Sequence, residues 1–459
     1  MISRLFTIIV ALMLAGALAP ASMARTGAAP SDASADVRAT DSIAMYAEEL
    51  ARTSLLHNTK VIFVGGDADS RAPRDSVESM VARFYFDQYR NSQDPESPYF
   101  IFMSKDANFA MGVGGTISLR GWADWNGMID DYDFNTSEIT LPKTPETMRS
   151  IGASMSGSVI FFNIMGRHTP VGDFRAYIEG GFSGYGHTGF KLKKAWLQMH
   201  DFTAGLATTT FSDPAALPET LDGAGADGRL DKTNILVRYL HTWRDRWTLG
   251  ASVEMPSSQP TDEDAHTSRL RDFVPDFALM GQYQWDRGMS HVRLAAVLRD
   301  MGYRNLDLGV NRHVAGWGAQ LSAVVRVGRI VTLYATGCYG KGIAAYLGDL
   351  SSGNYDLLAD PGNPGRLYAP ATLSGTAGAK VQILPRLSST LCLATLRHYP
   401  KADPAADTYK YGQYLSINAV YDFSPRLQLG VEYLAGKRMN CGGEHANVNR
   451  AEALLSFSF

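Results

Sequence analysis

From Asn108 to the last residue, Phe459, the apolar residues of this chain recur at every second position. In "TISLRGWADW", Ile117, Leu119, Ala123 and Trp125 stand on one parity, with Thr116, Ser118, Arg120 and Asp124 on the other. "FRAYIEGGF" sets Phe174, Ala176, Ile178 and Phe182 against Arg175, Tyr177 and Glu179. "HVRLAAVLR" sets Val292, Leu294, Ala296 and Leu298 against His291, Arg293 and Arg299. Successive side chains of a strand point to opposite faces, so each segment reads as a strand with one apolar and one polar face. The same period returns in "WTLGASVE", "FALMGQYQW", "AQLSAVVRV", "TAGAKVQIL", "YLSINAVYD", "LQLGVEYL" and "AEALLSFSF".

The connections alternate in length. Short turns are predicted at "WRDR" (Trp243 to Arg246), "WDRG" (Trp285 to Gly288), "VGR" (Val327 to Arg329), "LPR" (Leu384 to Arg386) and "SPR" (Ser424 to Arg426). Between them run "MPSSQPTDEDAHTSRLRD", the region Lys341 to Pro370, and "HYPKADPAADTYKYG". An antiparallel meander whose two ends face different environments has this pattern, and a soluble two-sheet sandwich has no reason to sort its loops by length. About sixteen strand candidates can be counted, an even number in the range of closed outer-membrane barrels. Closure also removes the bare edges that lipid forbids. The expected fold is all-β, a transmembrane antiparallel β-barrel over residues 107–459.

The N-terminal "MISRLFTIIVALMLAGALAPASMA" carries one early cation, Arg4, an apolar run from Leu5 to Leu18 and a small-residue site ending at Ala24. These features predict a secretory signal over residues 1–24. Residues 25–106 are expected to form a periplasmic segment with short helices. Its better helical candidate opens with the pair Asp75 and Glu78 and aligns Val77, Met80, Val81 and Phe84 on one packing face. A net charge of -3 with 19% charged residues is not the balance of a nucleic-acid partner. Cys338, Cys392 and Cys441 lack metal-site or disulfide-framework spacing, and the ten histidines are scattered, so no metal or cofactor is expected.

In a membrane barrel the apolar parity meets lipid and the polar parity lines the lumen. That puts Arg175, Glu179, Arg238, Gln282, Gln284, Arg293, Arg299, Gln320, Arg326, Lys380 and Asn418 inside. Trp125, Phe182, Trp247, Trp285 and Tyr433 suit interfacial girdles. The chain ends on "ALLSFSF" with Ala453, Leu455, Phe457 and Phe459 on one parity, and this last strand is expected to close the barrel against the first.

The block "GDFRAYIEGGFSGYGHTGFKLKKAWLQMHDFTAGLATTTFSDPAALPETLDGAGADGRL", with "DSVESMVARFYFDQYRNSQDPESPYFIFMSKDANFAMGVGG", resembles the DcaP-like trimeric porins of Gram-negative outer membranes, in their Bacteroidetes-type form. The resemblance covers roughly Asp75 to Glu254. It implies a homotrimer embedded in outer-membrane lipid that passes small, often anionic, dicarboxylate-like solutes by diffusion. It also implies that the terminal Phe459 serves as a signal to the barrel-assembly machinery. In general porins the loop between the fifth and sixth strands folds inward and narrows the pore.

An independent count places Thr203 to Thr208 fifth and Lys232 to His241 sixth, with a loop over 209–231 between them. Pro214 and Pro218 restrict its backbone and its glycines permit tight bends. Its acids Asp213, Glu219, Asp222 and Asp227, with Arg229, are expected to face the bases Arg175, Lys191, Lys193, Arg238 and Arg299 across a constriction. Oppositely charged walls would concentrate the field there, and an excess of lumenal bases would favour anions.

Two motifs carry less. "GYGHTG" matches the dinucleotide fingerprint, but "FKLKKAWLQM" after it alternates as a strand, so a glycine turn is expected. No G-x-S-x-G elbow occurs, and a catalytic triad would have to be assembled from distant residues. The alternative to a channel is a structural or surface-interaction barrel, its lumen plugged by the inserted loop or by the Asp75 to Tyr89 helix.

Overall fold

The computed structural model describes residues 59–64, 76–81, 84, 98–129, 132–170, 172–183, 189–260, 266–351, 353–401 and 404–459. The proposed signal sequence lies outside them. Sixteen antiparallel barrel strands follow one another in chain order. The first is Phe109–Trp125. The second runs as Arg149–Ser154 and Val159–Gly166, which face the two halves of the first. Across the break, residues 117–119 of the first strand oppose residues 155–158 of the second, one residue more, which makes a bulge. Then come Phe174–Ser183, Gly189–Met199, Phe202–Thr208, Thr233–Trp243 and Trp247–Glu254. The eighth is again split, Thr267–Arg269 and Asp276–Trp285, both pairing with the ninth, Ser290–Asn305. The last seven are Val310–Val327, Val331–Lys341, Ala371–Leu384, Leu387–Tyr399, Tyr409–Ser424, Leu427–Asn440 and His445–Ser458.

The sixteenth strand pairs with the first, from Asn449 opposite Trp125 to Ser458 opposite Thr116. Phe459 extends the seam by exchanging two backbone hydrogen bonds with Gly115, at 3.0 and 2.9 Å. Every barrel strand therefore has two neighbours, and no edge is left to lipid. The five short turns lie where the sequence puts them, and the long connections share the opposite end. The fifth and sixth strands flank the loop as counted.

The outer face inverts the burial of a soluble protein. Ile117, Leu119, Leu249, Leu279, Leu294, Leu298, Leu321 and Val431 are all about half exposed, whereas Arg120, Asp124, Arg293, Gln282 and Gln320 on the other parity are buried. Such a surface is stable only against hydrocarbon. Trp125, Phe182 and Trp247 sit exposed near the strand ends, as interfacial girdles do, whereas Tyr433 is exposed in the middle of its strand. The protein is an integral outer-membrane β-barrel. The strand at Gly189–Met199 also settles the glycine fingerprint, because no helix follows it to hold a pyrophosphate.

The segment before the barrel adds two strands that the sequence pattern does not disclose. Lys60–Val64 lies parallel to Phe100–Ser104, which pairs in turn with the start of the first barrel strand. The helix expected over Asp75 to Tyr89 falls mostly outside the described residues. Of its apolar stripe, Met80, Val81 and Phe84 are buried with Ile101, Met103, Ala110 and Met165. Ala110 and Met165 belong to the inward parity of the first two barrel strands, so this cluster sits within the mouth at the short-turn end.

Candidate functional site

The loop over 209–231 leaves the fifth strand and lies along the inner wall, held by a chain of contacts that can be followed strand by strand. At its root the Thr210 N–H donates to Glu254 on the seventh strand (3.0 Å) and Phe211 joins a core with Ile343 and Tyr346. Asp213 comes next, wholly buried. It accepts from His291 on the ninth strand (2.9 Å) and from Ser322 on the tenth, and Arg293 lies 3.5 Å away. Burial alone would raise this carboxyl, but Arg293 and then His291 outweigh it and hold it below the ordinary range. Pro214–Ala216 makes one 3-10 turn, with Ala216 packed on Val324 and Tyr334.

Past that turn the loop crosses glycines. Pro218 covers Gly378 on the twelfth strand, where an added Cβ would come within 2.5 Å of the proline ring. Glu219 meets Lys380 on the same strand, and its carbonyl accepts from Asn418 on the fourteenth (2.9 Å). Leu221 covers Gly430, and the N–H groups of Leu221 and Asp222 both donate to Glu432 of the fifteenth strand, at 2.7 and 3.0 Å. The Asp222 carboxylate accepts from the Phe134 N–H at 2.8 Å. Burial, then the charge of Asp133, pushes its pKa up to about 7. Asp227 accepts from the Thr136 hydroxyl and adjoins Asp349, which takes the Gly228 N–H. Burial first, then the charge of Asp349, raises Asp227 well above its usual value.

The partners of the loop acids are other than the basic strand residues. Asp213, Asp222 and Asp227 are 1%, 4% and 0% exposed, and their partners are on the ninth strand onward and on the neighbouring loops. None of them pairs with Arg175, Lys191 or Lys193. Their charge is consumed in fastening the loop. Glu219 differs, with its side chain 59% exposed beside Lys380.

The basic residues divide in the same way. Arg238 donates to the Thr208 carbonyl at 3.2 Å and braces the loop root. Arg299 binds Asp276 (3.1 Å) and Asp356 (3.0 Å), both buried, and fastens the long connection 342–370 instead of lining an aperture. Arg229 packs beside Gly348 and reaches Asp231 at 3.8 Å. Arg175 donates to Asn163 (3.0 Å) and lies over Trp196. Lys191 and Lys193 are exposed on the fourth strand, away from the wall that carries the loop.

A bulge between Glu179 and Gly180 adds Lys194 to this group, 4.0 Å from Glu179. Strict alternation assigns Lys194 outward, and the extra residue at Lys193 reverses that. At the short-turn end a cavity of about 570 Å³ opens beneath the loop, with Arg326, Arg329, Lys380, Tyr334 and Glu219 on its walls. Arg329 sits in a turn, outside any alternation, so parity could not have marked it. Among the described residues no group of three or more His, Cys, Asp or Glu side chains is placed to hold a metal. Cys338 and Cys392 are buried and Cys441 lies in the loop after Asn440.

A closed sixteen-strand barrel with the third connection of its long-loop end laid along the inner wall has the fold of outer-membrane porins. Compared with solved structures, the chain is most usefully set beside the outer membrane channel DcaP of Acinetobacter baumannii. The two share 20% identity over 78% of this chain and 99% of that one, with a TM-score of 0.66, which shows a common fold. A loop-deletion mutant of OmpT, an outer membrane protein of Vibrio cholerae, matches at 11% identity, TM-score 0.48, over 77% of this chain and 100% of that one. An anion-selective porin from Comamonas acidovorans matches at 12% identity and TM-score 0.48, over 76% of this chain and 100% of that one. No protein-family profile matches the chain, and no curated protein matches its sequence.

Proposed function

We propose that the protein is a passive diffusion channel for small hydrophilic anions of the dicarboxylate type, assembled as a homotrimer. One observation carries this reading: three of the four loop acids are buried in anchoring contacts, while Lys191 and Lys193 remain exposed on the opposite wall. The balance along the lumen is then positive, reinforced by Arg326, Arg329 and Lys380 around the cavity under the loop. A positive, narrow, polar path concentrates anions and repels cations. Selection thus rests on bases set against a neutralised loop, in place of a field between acids and bases. The family resemblance of the Asp75 to Glu254 region supports the trimer and the solute class.

Planar-bilayer recordings test the reading. A salt gradient is expected to give a reversal potential of the anion-selective sign, in current steps grouped in threes. Replacing Lys191, Lys193 and Lys194 with Gln is expected to lower the anion-to-cation permeability ratio by about two- to fivefold. A cation-selective channel, or an unchanged ratio, rejects it. The plugged-barrel alternative draws on one contact, the packing of Met80, Val81 and Phe84 on the inward-facing Ala110 and Met165. A protein that inserts but conducts nothing until those three residues are replaced by Ala would favour that alternative.

A further inference from the structure

Over most of the barrel the lipid-facing parity is uncharged, but the long-loop end of the eleventh to fifteenth strands departs from this. Lys341 and Tyr339 share the outward parity of the eleventh strand, Arg397 and Tyr399 that of the thirteenth, Tyr411 that of the fourteenth and Lys437 that of the fifteenth. Tyr339, Leu373 and Tyr399 on this parity are each about two-fifths exposed, and Lys341 and Arg397 are exposed with them.

The register aligns these positions. Tyr339 stands opposite Leu373, Leu373 opposite Arg397, and Arg397 opposite Tyr411. Lys341 is opposite Ala371, which is opposite Tyr399, and Lys437 is opposite Gln413. Each cation also lies two residues nearer the short-turn end than the one before it, so with neighbouring strands about 4.8 Å apart the three follow one another at about 12 Å on alternate strands.

The Arg397 guanidinium lies 5.0 Å from the centre of the Tyr399 ring, and the Lys437 ammonium 5.8 Å from that of Tyr411. These rings hold the cations at the level of the interfacial girdle. Among the described residues no carboxylate lies within 4.0 Å of any of the three cations. Asp300, which shares the outward face at this end on the ninth strand, is engaged by His313 at 2.9 Å. Three cations on a surface that a bilayer covers, at headgroup depth and without counter-charges among the described residues, are complementary to anionic lipid headgroups.

We propose that Lys341, Arg397 and Lys437 form a lipid site on the barrel exterior that takes the phosphate groups of a lipid in the leaflet at the long-loop end. The site uses no lumenal residue, so it stands whether or not the channel reading holds. Native mass spectrometry of the detergent-solubilised protein tests it, with bisphosphorylated lipid A, the same lipid dephosphorylated, and phosphatidylcholine as probes. Bisphosphorylated lipid A is expected to be retained about tenfold better than its dephosphorylated form, and the triple variant Lys341→Gln, Arg397→Gln, Lys437→Gln is expected to lose that advantage.

Arg397→Lys is expected to keep most of the advantage, and the conductance of the triple variant is expected to be unchanged. If the triple variant fails the heat-modifiability check of folding, Arg397→Gln and Lys437→Gln taken singly make the same comparison, each lowering retention severalfold. Equal retention of the phosphorylated and dephosphorylated lipids overturns the proposal, as does undiminished retention by folded variants. Loss of the oligomer in a folded variant identifies the face as a contact between copies of the chain and also overturns it. Displacement of the lipid by millimolar inorganic phosphate marks a free-anion site, with the same consequence.

Discussion

Arg450 and Asp124 face each other across the seam where the sixteenth strand meets the first, with Nε 2.7 Å from Oδ1, Nη2 3.1 Å from Oδ2, and both side chains wholly buried. A two-point contact of this kind has one geometry, so it fixes register as well as attraction. Arg450 also donates to the Tyr132 carbonyl at 3.0 Å, tying the first long loop to the seam. Arg450→Ala would leave the Asp124 charge buried without its partner, and a loss of about 3–5 kcal/mol is expected. Replacing both, as Arg450→Met with Asp124→Leu, is expected to recover most of that loss. Urea unfolding from lipid vesicles measures both, and equal losses in the single and double variants would show that the pair does not act as a unit.

The root of the inserted loop depends on Asp213 in a way that fixes its response to acid. Its carboxyl is held below the ordinary value of 3.8 by Arg293 and His291, against the effect of burial. A depressed carboxylate contributes stability above its unfolded pKa and loses it only as pH falls through the lower folded value. This anchor is therefore expected to survive mild acid intact. Asp213→Ala is expected to cost about 3–5 kcal/mol locally, because Arg293 and His291 remain buried and uncompensated. Larger and noisier single-channel currents would report the freed loop, and a current identical to the unsubstituted channel's would contradict the anchoring role.

Asp222 has the opposite sign. Burial and the charge of Asp133 raise its pKa from 3.8 to about 7, with Arg120 and the Phe134 N–H opposing and Glu432 adding to the rise. A carboxyl raised on folding contributes stability below its unfolded pKa and loses it as pH rises through the folded value. The middle of the loop is thus expected to loosen between about pH 4 and pH 7 while its root stays fixed. Hydrogen exchange over residues 219–224 measures this, faster at pH 8 than at pH 5, and Asp222→Asn is expected to remove most of the difference. Exchange independent of pH in the unsubstituted protein would discard the assignment.

Much of the barrel was legible in the sequence because lipid enforces a period of two on every strand, with few exceptions. The apolar parity of Ile117 and Leu119, the turns at Trp243 to Arg246 and Ser424 to Arg426, and the terminal pairing of Phe457 with Ile117 all obey it. The site was less legible for a physical reason. Parity says that Arg238 and Arg299 point away from lipid, and inside a barrel that direction leads equally to open lumen or to the underside of a loop; Asp213 stands in the loop itself, where no alternation applies. Which of the two applies depends on contacts between residues far apart in sequence, such as Asp213 with Ser322 or Arg299 with Asp356. Lys194 was lost to a bulge, and the strand pair Lys60–Val64 and Phe100–Ser104 is too short to establish a period.

The glycines under the loop are the signal that could have revealed its path. Gly378 and Gly430 both stand at inward positions of long strands, where glycine weakens pairing unless something approaches closely. At Gly378 an added Cβ would lie 2.5 Å from Cγ of Pro218 and 2.9 Å from the Leu391 carbonyl oxygen. Neither the proline ring nor the backbone oxygen can swing aside, so Gly378→Ala must lift the loop from the wall. At Gly430 the same methyl would meet Cδ1 of Leu221 at 2.6 Å, the end of a flexible side chain that can rotate away. Both substitutions overpack the contact, and a cost of about 1–3 kcal/mol is expected at Gly378, with less at Gly430. The lifted loop moves toward the third and fourth strands and the exposed Lys191 and Lys193, so Gly378→Ala is also expected to lower single-channel conductance. Conductance of the two variants in the same bilayer makes the comparison, and a Gly430→Ala effect as large as that of Gly378→Ala would refute the rigid-contact explanation.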